Sequence, residues 1–187
     1  MGTPGVGKSS LATHLASKIQ ATHIDLGTFA EINGCISGKD LERDTLIVDT
    51  KKLSFHIKEV CQSLGGNVVI EGHYAHEVVP KNLVSKVFVL RKNPMILEKV
   101  LTEKGFSRKK VMENVVAEIL DVCLFDAIKT YGKRKVCEID VTGKSIETVV
   151  NELIDVLDGK KKCSIGVVDW IQELEGEGKI EDYLGWF

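Results

Sequence analysis

Gly2-Thr3-Pro4-Gly5-Val6-Gly7-Lys8-Ser9 opens the chain, and its reading decides the fold. It fits the pattern G-x-x-x-x-G-K-[ST], and Leu11, Leu15 and Ile19 follow at helical spacing. Glycines at Gly5 and Gly7 let the backbone curl until successive N–H groups point inward at an anion. The helix behind the loop adds the positive end of its dipole. Lys8 can reach β- and γ-phosphates, the Ser9 hydroxyl can ligate Mg²⁺, and Ser10 can donate one further bond to a phosphate. Such a loop implies a bound nucleoside triphosphate and no particular reaction.

Outward from the loop, two kinds of segment alternate. Short β-branched runs at 22–25, 67–71, 86–90 and 136–141 read as buried strands. Longer helical patterns lie between them: Leu53 to Leu64, ended by Gly65-Gly66; Pro94 to about Lys104; Ser107, a candidate N-cap, to about Tyr131; and Ile146 to Leu157. This alternation predicts an α/β fold, a mainly parallel sheet with helices on both faces. A phosphate loop is ordinarily fed by a central strand, yet here it starts at residue 2. The first strand is missing, so we expect a native chain that begins several residues upstream, with Met1 either a misassigned start or a trimmed end. Past the linker Asp158-Gly159-Lys160-Lys161-Lys162, Val167, Trp170, Ile171 and Leu174 keep helical spacing, and Trp186-Phe187 closes the chain. That tail is either a terminal helix packed on the core or a docking element for a protein partner.

With 187 residues, 43% apolar and 28% charged, the chain has a one-domain length and an ordinary globular composition. A formal net charge of −2 gives no support to a bulk nucleic-acid or membrane-surface binder. No apolar stretch approaches the roughly 20 residues that span a bilayer, and no secretory leader pattern is present. The five cysteines are widely spread without a Cys-x-x-Cys pair. They read as free thiols of a cytoplasmic protein.

Three features narrow the chemistry. Val68-Val69-Ile70-Glu71 is an apolar strand ending in a carboxylate, an arrangement that puts an acid near the Mg²⁺ of a phosphate-loop protein. His73 and His76 follow in the same loop; His73 is a candidate for catalysis or for structure, and a metal role for the pair lacks a third ligand. Arginine is scarce, only Arg43, Arg91, Arg108 and Arg134 against twenty-one lysines. Arg is the better phosphate clamp and adenine-stacking plane, so Arg91 after Val87–Leu90, Arg43, and Arg108 in the basic turn 104–110 stand out. That turn reads as a solvated surface or as a lid. An Asn-Lys-x-Asp guanine-reading motif is absent, which disfavours a GTP-dependent switch.

Gly2 to Ser10, Glu71-Gly72-His73, Val89-Leu90-Arg91, Lys104-Gly105-Phe106 and Lys109-Lys110-x-x-Glu113-Asn114-x-x-Ala117-Glu118-Ile119 occur in this order. Together they resemble the atypical adenylate kinases of archaea and eukaryotic nuclei, over essentially the whole chain. Three departures stand: Glu71 replaces the family's aspartate, Lys104 replaces the arginine of its lid-side Arg-Gly-Tyr, and the first strand is missing.

The resemblance implies reversible transfer of the γ-phosphoryl of MgATP to AMP, and an ATPase role in small ribosomal subunit maturation with a small-subunit ribosomal protein as partner. Residues 1–157 would form a phosphate-loop kinase domain, with a monophosphate-binding segment at about 25–48 and a lid at about 99–110; 158–187 would be a C-terminal tail. Gly5, Gly7, Lys8, Ser9 and Ser10 would hold ATP, and Ser9 and Glu71 would place Mg²⁺. Asp25, Thr28 and Arg43 would form the monophosphate site, although Thr28 also suits a helix N-cap. Arg91 would stack on adenine or bridge phosphates, Lys104 and Arg108 would belong to the lid, and His73 would support transfer or hydrolysis. Glu113 and Glu118, five apart on a helix, read as salt-bridged or capping groups. The rival readings are a ribosome-assembly ATPase with incidental kinase activity, a nucleotide-dependent binding module, and a kinase for another small acceptor.

Overall fold

The computed structural model describes residues 1–41 and 45–185, so Arg43 and Trp186-Phe187 lie outside the described residues. In chain order the elements are α1 (Lys8–Lys18), β1 (Thr22–Asp25), α2 (Leu26–Ile32), β2 (Ile36–Asp40), β3 (Thr45–Val48) and α3 (Thr50–Ser63). Next come β4 (Val68–Glu71), α4 (Ala75–Val78), β5 (Val87–Arg91), α5 (Pro94–Glu103), α6 (Arg108–Ile119) and α7 (Val122–Tyr131). The chain ends with β6 (Val136–Asp140), α8 (Ile146–Leu157), α9 (Trp170–Gly176) and α10 (Ile180–Leu184).

Two parallel strand pairs carry the α/β architecture. β1 pairs β4 with Asp25 opposite Glu71, and β5 pairs β6 with Arg91 opposite Asp140. Each pair therefore ends in charged residues at its C-terminal edge, where ligands of such sheets collect. The antiparallel hairpin β2–β3 is a feature that periodicity does not reveal. Its residues are mostly exposed, so no apolar alternation was needed to build it.

Helix ends follow their caps. Asn93 Oδ1 accepts from the N–H groups of Met95 and Ile96, with Pro94 in the first turn of α5, and Ser107 caps α6 through the Lys110 N–H. The single helix expected from Ser107 to about Tyr131 is instead two. Asp121 adopts a left-handed conformation at φ 57° between α6 and α7, a geometry that Asp tolerates better than most residues.

One apolar core gathers Leu11 and Leu15 of α1, Leu97 and Leu101 of α5, Met112 of α6 and Leu153 of α8. Trp170, Leu174 and Tyr183 are buried in that same core, so the tail packs on the body of the protein. A second core lies under α2 and α3, around Leu26, Leu53 and Ile57. Cys137 in β6 and Cys163 in the tail face one another with Cα atoms 4.8 Å apart, a spacing that lets their sulfurs join. The expectation of five free thiols stands for Cys35, Cys61 and Cys123, which are free. Among the described residues no helix is long and apolar enough to cross a membrane.

Between β4 and β5 runs a cavity of about 610 Å³, lined by Val68–Glu71 on one side and Val87, Phe88 and Leu90 on the other. Met1 alone enters the ladder there: its amino group donates to the Phe88 carbonyl at 2.6 Å, and the Leu90 N–H donates to the Met1 carbonyl at 3.0 Å. The cavity lies between the two parallel pairs, which share no ladder with one another among the described residues. Fusing five or six β-branched residues ahead of Met1 should fill it. Burial of each apolar side chain contributes about 1.5–3 kcal/mol and ordering each residue costs about 1–2 kcal/mol. Ladder bonds to both flanking strands tip that near-balance, so a net gain of about 2–3 kcal/mol is expected. The melting temperature should then rise by roughly 5–10 °C. Equal melting temperatures for the parent and extended chains would show that the cavity is not a strand slot.

Candidate functional site

The loop residues adopt the backbone their identities allow. Gly5 and Gly7 have φ 92° and 105°, a region closed to most side chains, and Gly7 caps the start of α1. A Cβ on Gly5 would sit 2.8 Å from Leu101 Cδ2, so α5 backs the loop closely. Lys8 folds back over the curve, and its Nζ donates to the Thr3 carbonyl at 3.1 Å. Burial lowers the Lys8 pKa, and the nearby charge of Lys104 adds to the lowering, against opposing contributions from Cys123 and Glu71. Ser9 and Ser10 lie exposed on the first turn of α1.

The in-register pairing of β1 with β4 sets Asp25 and Glu71 side by side at the edge facing this turn. Glu71 is 4% exposed, and its Oε1 has no hydrogen-bond partner, although His23 Nε2 lies 3.8 Å away. Its pKa is raised, first by burial; Ser9 counteracts by hydrogen bonding, and Asp25 adds to the rise. Asp25 moves the other way. Burial pushes it up but is outweighed by the Thr28 N–H, which donates at 2.8 Å, and by Glu71. Asp25 is thereby the N-cap of α2, and Thr28 is not; Thr28 is exposed one turn inside.

These residues fit Mg²⁺. A buried carboxylate oxygen without a donor, next to a serine hydroxyl, is the hard oxygen pair that this ion takes while sharing its remaining positions with phosphate and water. Among the described residues no group of three His, Cys, Asp or Glu could hold a metal alone. His76 faces away, with Nε2 3.6 Å from Asp126 of α7 and 3.7 Å from Glu77. His73 is exposed, its ring edge-on to Tyr74 at 4.8 Å. Desolvation first, then the charges of Lys8 and His76, hold its pKa below the ordinary value.

Arg91 departs from its expected role. Instead of presenting a guanidinium to adenine or phosphate, it is 1% exposed and turned inward. Nε donates to Glu118 at 2.8 Å and Nη2 to the Glu118 carbonyl at 2.9 Å; Glu138 and Asp121 take further bonds. Burial lowers its pKa, but the three carboxylates outweigh that and raise it. A planar fork suits this arrangement: four of its five N–H groups are spent inside the protein and the head is shielded from a ligand. Arg108 is exposed and ion-paired with Glu98 of α5, while Lys104 is exposed in the turn after α5. Arg43 lies outside the described residues.

Two groups beside the loop escaped the sequence reading. Lys92 has its pKa lowered, first by burial and then by Lys104, the same lysine whose charge acts on Lys8. The position of Lys92 directly after the Arg91 strand end was the available signal. Thr3 passed as a spacer in the motif, yet it is 1% exposed and its hydroxyl donates to Glu118.

The AAA domain family model matches residues 1–121. A protein named "Putative adenylate kinase" from Pyrococcus furiosus is 37% identical over 174 residues, covering 93% of this chain and 91% of that protein. One of the same name from Methanocaldococcus jannaschii is 36% identical over 183 residues, covering 98% and 94%. A crystal structure of a gluconokinase from Sinorhizobium meliloti 1021 superposes with TM-score 0.52 at 15% identity, covering 86% of this chain and 90% of that one. At that identity the likeness concerns the fold alone: a phosphate-loop kinase architecture. With the loop, the paired carboxylates and relatives of this length in hand, the chain belongs to the atypical adenylate kinase family.

Proposed function

We propose that this protein is an adenylate kinase that transfers the γ-phosphoryl of MgATP to AMP, giving two ADP. The observation that carries the reading is the meeting of Lys8, Ser9, Asp25 and Glu71 at one sheet edge. Phosphoryl transfer asks a protein for positioning and charge neutralisation more than for covalent chemistry. The curled loop from Gly2 to Gly7 would hold the β-phosphate on its amides. Lys8, freed from the Thr3 carbonyl, would follow the charge of the moving phosphoryl group. Ser9 and Glu71 would hold Mg²⁺, which when bound would supply positive charge to the phosphates. Asp25 and Thr28 face the acceptor side, Lys92 and Lys104 add positive charge from the other, and an uncharged His73 would orient the acceptor or a water.

A coupled assay with MgATP and each nucleoside monophosphate in turn tests the proposal. AMP should give the highest kcat/KM. Hydrolysis of ATP with no monophosphate converted would replace the kinase reading with that of an ATPase, for which a small-subunit ribosomal protein is the partner to try as a stimulator.

A further inference from the structure

The Arg91 cluster holds more negative charge than it needs. One guanidinium faces Glu118, Glu138 and Asp121, and two carboxylates already exceed its charge. Asp121 is half exposed, but Glu118 and Glu138 are both buried, and the second buried carboxylate is costly to retain unless it serves something else. Glu118 is 2% exposed, in the last turns of α6. Its Oε1 accepts from Arg91 Nε, from the Lys92 N–H at 3.1 Å and from the Trp170 indole N–H at 3.2 Å. Its Oε2 accepts from the Thr3 hydroxyl at 2.6 Å, and this contact alone leads into the phosphate loop.

Thr3 is the residue whose carbonyl receives Lys8 Nζ at 3.1 Å and the Val6 N–H at 3.4 Å. Fixing its hydroxyl therefore fixes the direction of that carbonyl, the resting place of the lysine and the curvature of the loop. We propose that Glu118 is a positioning residue for the phosphate loop: through Thr3 it holds the loop and Lys8 ready for the nucleotide, and through Trp170 it ties that readiness to helix α9 of the tail. A charge-assisted bond between buried groups is short and stiff, and a loop ordered before binding loses less entropy when the ligand arrives. The inference rests on the reading that the loop binds MgATP.

Thr3→Val tests it with little change of shape, since Glu118 keeps its bonds to Arg91, Lys92 and Trp170. Titration calorimetry and steady-state assays should show Kd and KM for MgATP raised about tenfold, the order expected for a lost hydrogen bond to a charged group. KM for AMP should stay within about twofold, and Thr3→Ser should restore the parent values. Glu118→Gln should act in the same direction, and the double variant should be no weaker than the worse single, because both act through one bond. Should Glu118→Gln fail to fold, the Thr3→Val and Thr3→Ser pair still decides. A Thr3→Val protein that binds MgATP like the parent, or that loses both substrates equally, overturns the inference and leaves the kinase reading intact. A parent protein that takes up no MgATP removes both.

Discussion

Replacing Lys8 with alanine is expected to lower kcat/KM about a thousandfold while the fold persists. The size follows from what one preorganised charge contributes where negative charge develops in a water-poor site. The persistence of the fold follows from the geometry. In the free protein the ammonium donates to one backbone carbonyl, and its surroundings depress its pKa, burial most of all. The resting charge is thus held against its own preference, and its removal relieves a cost in the apo state. A polyphosphate would reverse that balance. Melting curves should overlay or shift slightly upward for Lys8→Ala, while the coupled assay collapses. Unchanged slow turnover in the variant would point to a nucleotide-binding module without catalysis.

Arg91→Leu is expected to have the opposite profile, a large loss of stability. Glu118 and Glu138 would remain buried without their cation, and breaking one side of such a group costs about 3–5 kcal/mol. For a chain of this size that corresponds to roughly 10–15 °C in melting temperature. The effect extends into the tail, because Glu138 Oε2 also accepts from the N–H groups of Gly166 and Val167 at 2.6 and 2.9 Å. Arg91→Lys should recover only a fraction, since an ammonium cannot serve three carboxylates in one plane. A melting curve without nucleotide decides the matter. Stability unchanged beside weakened nucleotide binding would return Arg91 to the ligand-contact role that its place after β5 suggested.

The contrast between these two residues shows what was legible in the chain. Lys8 is read from its immediate neighbours, because glycines and a following helix define its surroundings within ten residues. Arg91 cannot be read that way. Its partners come from 27, 30 and 47 residues further on and meet it through the β5–β6 register and the start of α7. The four parallel strands were visible as β-branched runs, and α5 announced its start with Asn93-Pro94. The break at Asp121 was hidden because apolar residues continue at helical spacing on both sides. The approach of Cys137 to Cys163 brings together residues 26 apart with no pattern between them. At the candidate site, Glu71 was expected from the strand it ends. Its pairing with Asp25 needed the register of β1 against β4.

The two strand pairs give the ligand a mechanical part to play. The loop is stitched to one pair, through Met1 on β5 and Thr3 on Glu118, whereas Asp25 and Glu71 terminate the other. Helix α1 packs on that second pair, against β1 and β4, and on α8. A magnesium nucleotide seated on the loop and on Glu71 would rivet the halves together, so occupancy and cohesion of the protein become one quantity, and heat resistance becomes a gauge of how full the site is.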